Sequence, residues 1–404
     1  MKYKDNLNVI IVNDFDYIQG GASKVAIDEA NILHKNGINT IFFSSTHEEN
    51  DYKFKQVCTN QKECLKDGIK GLFRNLSNKK VKREFSKLLD SFDNKNTIIH
   101  VHGWTKSLSS VIFKVAKKKK FKLVLTVHDY FLVCPNGGFY NYRKNMICNK
   151  KPMCLKCITC NCDSRNFFFK IYRIIRQIIQ NHNTKKLKNI KYIISISDFS
   201  IEKLKKYLDS NAVIKKIYNP IRIDKNKIIN ISKNNSYIYV GRVSQEKGVD
   251  IFCEAISKLK LNGIVVGDGI LKENLEKKYS NIKFTGWVSP KEVEKYMRNS
   301  KALVFPSRWY EGAPLTILES VAIGLPCIVS NKCAGVDFIE NNKNGLLYDG
   351  TVAGLIRSIK KYEKMDVKSI SKYAYSKYWN NPFNEELHYK NLISYYEEII
   401  KEEK

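Results

Sequence analysis

The sequence has no long apolar run. No stretch reaches the ~18 to 20 consecutive apolar residues that a membrane-spanning helix needs. The first segment, MKYKDNLNVIIV, has an apolar core of only four residues, which is typical of a buried strand and too short for a signal peptide. We therefore expect a cytoplasmic protein. In that compartment its 11 cysteines should be free thiols or metal ligands rather than disulfides.

Acidic residues are scarce between positions 101 and 200. This quarter of the chain holds 20 Lys and Arg against three acidic residues, so it carries +17 of the total net charge of +30. A Lys-rich composition explains part of this charge, but not its concentration in one region. A basic patch of this kind suits nucleic acid, an anionic lipid surface or a phosphate-bearing substrate.

Short apolar runs alternate with helical patterns along all 404 residues. The runs lack polar alternation, which predicts strands buried on both faces of a parallel sheet. Because the series occurs twice, we predict an α/β protein with two Rossmann-like, doubly wound domains that face each other across a cleft. The predicted segments are residues 1–215, residues 216–380 and an amphipathic terminal helix, 381–404, with the boundary near KKIYNPIRIDKNK (215–227).

The stretch PSRWYEGAPLTILESVAIGLPCIVSN (306–331) is the most informative part of the second half. Pro314 and Gly324 mark the start and end of a helix. The free N–H groups of its first turn can hold an anion. Glu311 precedes this helix and Glu319 lies within it, where a carboxylate can accept hydrogen bonds from a vicinal diol such as a ribose.

Two basic residues follow an earlier strand of the same half. Arg242 comes just after the strand in YIYVGRVSQEKGVDIF, and Lys247 begins the next helix. Arg can bind a diphosphate through two parallel hydrogen bonds, and Lys adds a point charge. Because Arg and Lys are abundant in this chain, the pair is informative only together with the acidic helix described above.

Candidate residues of the first half also follow strands. Gly20 and Gly21 lie between the first strand and helix, where backbone can approach a phosphate, although a plain tight turn is equally consistent. His100, His102 and His128 come at or just after two strands, and we interpret them either as contacts to a sugar or acceptor or as satisfied core histidines. The Asp14-Phe-Asp16 triplet matches a metal-binding motif too short to be specific.

These motifs together resemble the retaining GT-B glycosyltransferases of the glycosyl transferases group 1 family. The resemblance rests on GRVSQEKG, VGDG, FTGWVS and Glu311-x7-Glu319 in the second half, and on YIQGGASKVA, HVHG and TVHDY in the first. It covers nearly the whole chain. It departs from the family at NPI (219–221), where Asn-Gly is frequent. The resemblance implies that the second domain binds a nucleotide-sugar donor, the first binds the acceptor, and the terminal helix packs back on the first.

The resemblance also implies roles for individual residues. Arg242 and Lys247 would neutralise the donor diphosphate, Glu311 would bind the sugar hydroxyls, and Glu319 would bind the ribose. His128 would lie near the transferred sugar. The remaining implied donor contacts are mostly made by backbone, at Gly20, Gly21, Val288, Gly312, Ala313, Leu315 and Thr316.

The implied activity is a retaining, metal-independent hexosyl transfer (EC 2.4) from a nucleotide-diphosphate sugar to a glycan acceptor. A lipid-diphosphate-linked acceptor would place the protein in capsule, O-antigen, lipopolysaccharide or exopolysaccharide assembly, with peripheral contact to the inner membrane. Two alternatives remain: a GT-B enzyme of another reaction type, and a zinc-containing nucleic-acid-binding protein. We expect no nucleic-acid partner, since no recognition helix accompanies the cysteines.

A cysteine-rich insertion, 134–162, follows the TVHDY motif. Its spacing fits a structural zinc site, with Cys134, Cys148, Cys154 and Cys157 as the first choice of ligands and Cys160 and Cys162 as alternatives. Free thiols fit the sequence equally well. If zinc binds, it would hold a loop beside the acceptor site.

The segment NFFFKIYRIIRQIIQ (166–180) predicts an amphipathic helix. Phe168, Ile171, Ile175 and Ile178 form its apolar stripe, and Arg173 and Arg176 lie elsewhere around it. Packing of this stripe into the core is the favoured interpretation. The alternative is contact with an anionic membrane surface.

Overall fold

The computed structural model describes residues 6–402. In chain order the first half contains β1 (Asn8–Val12), α1 (Gly21–Lys35), β2 (Asn39–Ser44), β3 (Lys55–Cys58), α2 (Gly68–Leu76), α3 (Lys79–Asp90), β4 (Thr97–Val101), α4 (Val111–Lys118), β5 (Lys122–Val127), β6 (Tyr140–Asn141), β7 (Met146–Ile147), α5 (Leu155–Ile158), α6 (Phe167–Asn183), β8 (Tyr192–Ser195), α7 (Asp198–Leu204) and β9 (Val213–Lys216).

The second half begins after a linker and has the same alternation. It contains β10 (Ser236–Val240), α8 (Val249–Lys258), β11 (Asn262–Val266), α9 (Lys272–Lys278), β12 (Ile282–Gly286), α10 (Pro290–Arg298), β13 (Ser300–Phe305), α11 (Leu315–Ala322), β14 (Cys327–Ser330), β15 (Gly345–Tyr348), α12 (Val352–Tyr362), α13 (Val367–Asn380) and α14 (Glu385–Lys401).

Each half is built on one parallel sheet. The first sheet has the strand order β3-β2-β1-β4-β5-β8-β9, and the second has the order β12-β11-β10-β13-β14-β15. The central strands are buried on both faces, as the unbroken apolar runs predict; Val9 to Val12, for example, are fully buried. The order reverses beside β1 and beside β10, so both switch points open toward the carboxyl ends of their strands.

The terminal helix α14 returns to the first domain. Leu392, Tyr395, Tyr396 and Ile399 are buried in one cluster with Ala26 and Leu33 of α1 and with strand residues of the first sheet. The preceding helix, α13, packs instead against α11 of the second domain. The chain therefore crosses between the domains twice, once through the linker after β9 and once between α13 and α14.

The packing of α6 contradicts the prediction that its apolar stripe enters the core. Phe168, Ile171, Ile175 and Ile178 are 43 to 59% exposed, whereas Lys170, Gln177 and Gln180 are buried on the opposite face. The physical reason lies in the irregular backbone of residues 131–136, whose carbonyl groups need donors. Gln177 donates to the Leu132 carbonyl (3.2 Å), Gln180 to that of Phe131 (3.0 Å) and Arg176 to that of Pro135 (3.1 Å).

The helices of residues 6–402 are all too short or too polar to cross a bilayer.

Candidate active site

A cleft of about 370 Å³ lies between the carboxyl ends of the two sheets. Residues of both domains line it. The first domain contributes Gly21, Ala22, His128, Asp129 and Ile196, and the second contributes Tyr239, Gly241, Lys247 and the segment 311–316. The cleft therefore gathers most of the motifs from which a donor site was predicted.

Lys247 and Glu311 form an ion pair on the second-domain side of this cleft. The Lys247 Nζ atom lies 2.8 and 2.9 Å from the two carboxylate oxygens of Glu311. Ser307 Oγ and Trp309 Nε1 each donate to Glu311 Oε1 at 2.8 Å. Because three donors hold the carboxylate, its orientation is fixed, and the Lys247 ammonium is fixed beside it.

The N-terminus of α11 opens into the same cleft. Pro314 is its N-cap residue, and Leu315 and Thr316, which begin its first turn, line the cleft. Among residues 6–402 no side chain caps this helix end, and although the Ile317 N–H donates to the Pro314 carbonyl (3.1 Å), the N–H groups of Leu315 and Thr316 can bind an anion. The helix ends before Gly324, whose φ of +83° is the left-handed conformation that favours glycine.

The segment before α11 also contacts the first domain. The Gly312 carbonyl accepts hydrogen bonds from Ser197 Oγ (2.6 Å) and Ser200 Oγ (3.2 Å) at the start of α7. A Cβ atom on Gly312 would lie 2.6 Å from the carbonyl oxygen of His128. The two domains thus meet through backbone at this point. The two serines escaped the sequence analysis because an ordinary Ser-x-x-Ser helix start does not signal an interdomain contact.

Gly20 and Gly21 lie at the start of α1, across the cleft from α11. Gly21 lines the cleft, and neither glycine has any other atom within 4 Å of the place where a Cβ would lie. Neither has a φ in the left-handed region; the φ of Gly20 is 173°, which is extended backbone that any residue adopts. Glycine is therefore not required here by backbone strain or by packing within the protein, and the space beside it is left open.

Four predicted donor residues lie outside the residues that line the cleft: Gly20, described above, and Arg242, Val288 and Glu319. The Arg242 side chain is 58% exposed and pairs with the buried Glu246 at 2.6 Å. Glu319, in the second turn of α11, makes no hydrogen bond or ion pair among residues 6–402, and its burial raises its pKa against the opposing charge of Lys24. Val288 is partly buried in the core of the second domain.

The three candidate histidines of the first domain, His100, His102 and His128, are stacked behind one another. His128 lines the cleft, and its Nε2 atom lies 2.9 Å from Nδ1 of His102. His100 and His102 are 0 and 3% exposed, so their position does not support the predicted direct contact with an acceptor. Behind them lies Glu29 of α1, which the sequence analysis missed. The available signal was an acidic residue on the apolar face of a helix.

Asp14 and Asp16 serve the structure of the first domain. Asp14 accepts hydrogen bonds from the backbone N–H groups of Lys106, Ser107 and Leu108, at 2.8 to 3.0 Å. Asp16 accepts from the Glu48 N–H (3.1 Å) and contacts His47 Nδ1 (2.7 Å). Both side chains are almost fully buried, so the Asp-x-Asp triplet does not offer free carboxylates to a metal ion.

The predicted zinc ligands are not gathered into one site. Among the described residues, no three sulfur atoms of Cys134, Cys148, Cys154, Cys157, Cys160 and Cys162 lie within 4.8 Å of one another. The buried ammonium of Lys170 lies instead 3.4 Å from Cys162 Sγ and 3.8 Å from Cys157 Sγ. Burial raises the pKa of Cys162 to about 11, which favours its thiol form. This donor set does not fit a preformed zinc site, and zinc binding stays a prediction.

Known proteins resemble the chain both in sequence and in fold. Residues 221–377 match the family model described as "Glycosyl transferases group 1". An uncharacterized 41.2 kDa protein of the cps region of Klebsiella pneumoniae is 24% identical over 332 residues, 76% of this chain and 79% of that protein. The UDP-Gal:alpha-D-GlcNAc-diphosphoundecaprenol alpha-1,3-galactosyltransferase of Escherichia coli is 34% identical over 141 residues, 31% of this chain and 35% of that enzyme.

The fold as a whole matches solved structures. Sucrose-phosphate synthase from Thermosynechococcus elongatus superposes with a TM-score of 0.71 at 14% identity, over 97% of this chain and 99% of that one. The chain has the two-domain GT-B fold, and its second domain, over residues 221–377, matches the glycosyl transferases group 1 family. The predicted fold is confirmed, and the predicted family resemblance is confirmed for the second domain.

Proposed function

We propose that this glycosyltransferase moves a sugar from a nucleotide-diphosphate sugar to a lipid-linked glycan, with retention of configuration and without a catalytic metal ion. The observation that carries the proposal is the fixed Lys247–Glu311 pair beside the free N-terminus of α11, facing His128 across the cleft. A diphosphate leaving group needs positive charge at this point. An ammonium group and helix N–H groups held in place supply it without reorganisation.

The reaction that fits this site forms one bond and breaks another at the anomeric carbon. The acceptor hydroxyl oxygen bonds to that carbon, the bond from the carbon to the diphosphate oxygen breaks, and the hydroxyl proton passes to the leaving diphosphate. Glu311 is unsuited to act as a covalent nucleophile because Lys247, Ser307 and Trp309 already hold its carboxylate. A front-face displacement, with both groups on the same side of the sugar, is consistent with this arrangement.

The relatives support the substrate classes. One relative is named as acting with UDP-galactose on a diphosphoundecaprenol-linked sugar, and another is encoded in a cps region. On this basis we place the chain in the assembly of a cell-surface polysaccharide, such as a capsule or lipopolysaccharide, at the cytoplasmic face of the membrane. Glu319 is the candidate for binding the ribose, and Arg242 would turn from Glu246 toward the diphosphate when donor binds.

Ligand binding and turnover test this proposal directly. Thermal shifts are measured with UDP, GDP, ADP and an oligonucleotide, and hydrolysis or transfer is followed by nucleotide release with and without EDTA. We expect one nucleotide to stabilise the protein, Lys247→Ala to lose most of this stabilisation, and EDTA to leave turnover unchanged. Stabilisation by the oligonucleotide alone would contradict the proposal. Nucleotide release that yields an epimerised or phosphorylated sugar would indicate another reaction on the same fold.

An exposed apolar surface on the first domain supports peripheral contact with the membrane. We call it the apolar patch: Phe168, Ile171, Ile175 and Ile178 of α6, with Ile69 and Phe73 of the neighbouring α2, which are 68 and 70% exposed. The two helices are in contact, and Asn75 of α2 donates to the Tyr172 hydroxyl of α6 at 3.1 Å. An apolar stripe that a helix turns away from its own core needs another apolar environment.

The charges around the apolar patch favour an anionic lipid surface as its partner. Exposed basic residues flank both helices, at Lys66, Lys70, Lys79, Lys80, Arg165, Lys185 and Lys186. The nearby carboxylates of Asp67 and Asp163 are already paired with Arg74 and Arg173. The net charge of this face is therefore positive, and each Lys or Arg near such a surface contributes about 1 kcal/mol of attraction.

Vesicle co-sedimentation tests the apolar patch. We expect binding to vesicles that contain phosphatidylglycerol, weakened by salt and by an Ile171→Ser/Ile175→Ser double variant. Ile270→Ser is the matched control, since Ile270 is 86% exposed on the other domain. Charge reversal of Arg173 and Arg176 is unsuitable because both side chains bind the protein interior. Equal binding of the double variant and the control would rule out the apolar patch as the membrane contact.

A further inference from the structure

A cluster of buried polar side chains lies behind His128, and its centre is Glu29 of α1. The Glu29 Oε2 atom lies 3.1 Å from His102 Nε2 and 3.1 Å from His100 Nδ1, and Oε1 lies 3.0 Å from Nε2 of His388 on α14. All four side chains are at most 4% exposed. Placing a carboxylate in the interior is costly unless its partners neutralise and orient it, so this arrangement calls for a role.

His388 orients the Glu29 carboxylate from the side of the terminal helix. Its Nδ1 atom lies 2.8 Å from the backbone carbonyl oxygen of Tyr218, which can only accept a hydrogen bond. Its Nε2 atom faces the carboxylate of Glu29, which when ionised also only accepts. Both nitrogens of His388 therefore face oxygen atoms that accept hydrogen bonds, so the ring can donate to Tyr218 and to Glu29. The pair His388–Glu29 joins the terminal helix and the interdomain linker to α1.

The ionised Glu29 then determines where the protons of the next two histidines lie. Neither Glu29 Oε2 nor His102 Nε2 makes a well-aligned hydrogen bond among residues 6–402, but the two atoms lie 3.1 Å apart, so a small rotation of either side chain lets one hydrogen bond satisfy both. His102 accordingly carries its proton on Nε2, and its Nδ1 accepts. The group within reach of that Nδ1 is His128 Nε2, at 2.9 Å, which must donate.

We propose that Glu29 and His102 are positioning residues that fix the tautomer of His128, so that Nδ1 of His128 accepts a hydrogen bond from a hydroxyl of the sugar in the cleft. This inference rests on the proposed function for the identity of the hydroxyl, but not for the tautomer. His128 lines the cleft, and its Nδ1 has no hydrogen-bond partner in the described chain. Burial also lowers the pKa of His128 well below its ordinary value, which keeps the ring neutral and able to accept.

The tautomer can be read directly from the ¹⁵N chemical shifts of histidine-labelled protein. The chain has only seven histidines, and His128→Asn identifies the resonances of that ring. We expect an unprotonated Nδ1 and a protonated Nε2 in His128 of the unaltered protein. The reverse tautomer, or a charged ring at neutral pH, would overturn the inference. This measurement needs no substrate, so its result is independent of the proposed function.

The Glu29→Gln variant tests the chain of hydrogen bonds. A glutamine amide can donate to His102 Nε2, which allows both histidines to reverse, so we expect a mixed His128 tautomer and a kcat lowered by roughly tenfold or more, with the KM for the nucleotide sugar little changed. In a His128→Asn background the same substitution should have no further effect on kcat. A purely structural role for Glu29 predicts additive losses instead, and that result would overturn the inference.

Tyr396→Phe is the matched control. The Tyr396 hydroxyl lies 2.7 Å from His100 Nδ1 in the same cluster, but outside the path from Glu29 through His102 to His128. We expect this variant to lose stability and to keep the His128 tautomer and kcat. Zinc analysis of the unaltered protein and of Glu29→Gln gives a further check. Stoichiometric zinc in the unaltered protein and none in the variant would overturn the inference, because the metal ion would bind the lone pair of a histidine. If no transfer activity is found at all, the proposed function fails while the NMR result still decides the tautomer.

Discussion

The Lys247 ammonium lies within 2.9 Å of both carboxylate oxygens of Glu311, just before the N-terminus of α11. Two motifs separated by 64 residues are thus joined in one ion pair. The pair is only partly exposed, so water screens it incompletely, and the orientation of Lys247 depends on Glu311. Catalysis by the ammonium group should therefore be sensitive to both partners.

Replacing Lys247 or Glu311 should lower turnover, and the decrease should be larger for Lys247. Lys247→Ala removes the charge that stabilises the leaving diphosphate, and we expect kcat to fall by ~10²- to 10³-fold. Glu311→Gln keeps the shape of the side chain but removes the charge that orients the Lys247 ammonium, so we expect a smaller decrease in kcat. Initial rates of nucleotide release give both values. The control is Lys258→Ala, whose exposed side chain pairs with Glu254 away from the cleft. Equal rates in Lys247→Ala and this control would exclude Lys247 from catalysis.

Gly20 and Gly21 allow a test that separates binding from folding. Because a Cβ at either position meets no protein atom within 4 Å, Gly20→Ala and Gly21→Ala should leave the melting temperature within about 2 °C of the original. If donor phosphate occupies the open space, each variant should raise the KM for the donor several-fold. Unchanged kinetics in both variants would show that the phosphates do not approach this turn.

Gly312→Ala should impair the contact between the domains. Its Cβ would lie 2.6 Å from the His128 carbonyl oxygen and 3.2 Å from Ile196, so the segment before α11 must move away from the first domain. We expect kcat to fall at least tenfold while each domain keeps its secondary structure, which far-ultraviolet circular dichroism would show. Small-angle scattering should report a larger radius of gyration. Full activity at an unchanged radius would mean that the domains close elsewhere.

Acid should destabilise the fold through the buried histidine cluster. Burial lowers the pKa of His100 to about 4 against the partial opposition of Glu29. The unfolded chain therefore takes up this proton first, so the stability is fully present above about pH 6.5 and is lost as pH falls toward 4. Glu29, whose pKa is also well below its ordinary value, acts in the same direction. Urea unfolding from pH 7 to 4 should lose ~3 kcal/mol for His100 alone. A His100→Gln variant should show a flatter profile, and an equal slope would refute the assignment.

The sequence was sufficient for the fold and for the position of the segment before α11, because periodicity and motif spacing report local structure. Strand runs predicted both sheets, and EGAP located the start of α11. It was insufficient wherever a side chain's partner is distant along the chain. Glu29 and His388 are separated by 359 positions in the sequence, so the residues around each of them do not predict their contact. The prediction that the apolar stripe of α6 enters the core was wrong for the same reason. The carbonyl groups that bind Gln177 and Arg176 on the inner face of this helix belong to residues 131–136.

Arg173 should be essential to the stability of the insertion, although it lies on a helix with an exposed apolar face. Its Nε atom lies 2.6 Å from Asp163 Oδ2, and Asp163 is completely buried. Arg173→Ala leaves that carboxylate without its counter-charge, which costs about 3 to 5 kcal/mol for a buried pair. Arg165→Ala, at an exposed position near the start of the same helix, should cost less than about 1 kcal/mol. Urea denaturation of the two variants gives the comparison, and similar midpoints would show that Asp163 finds another partner or is protonated in the fold.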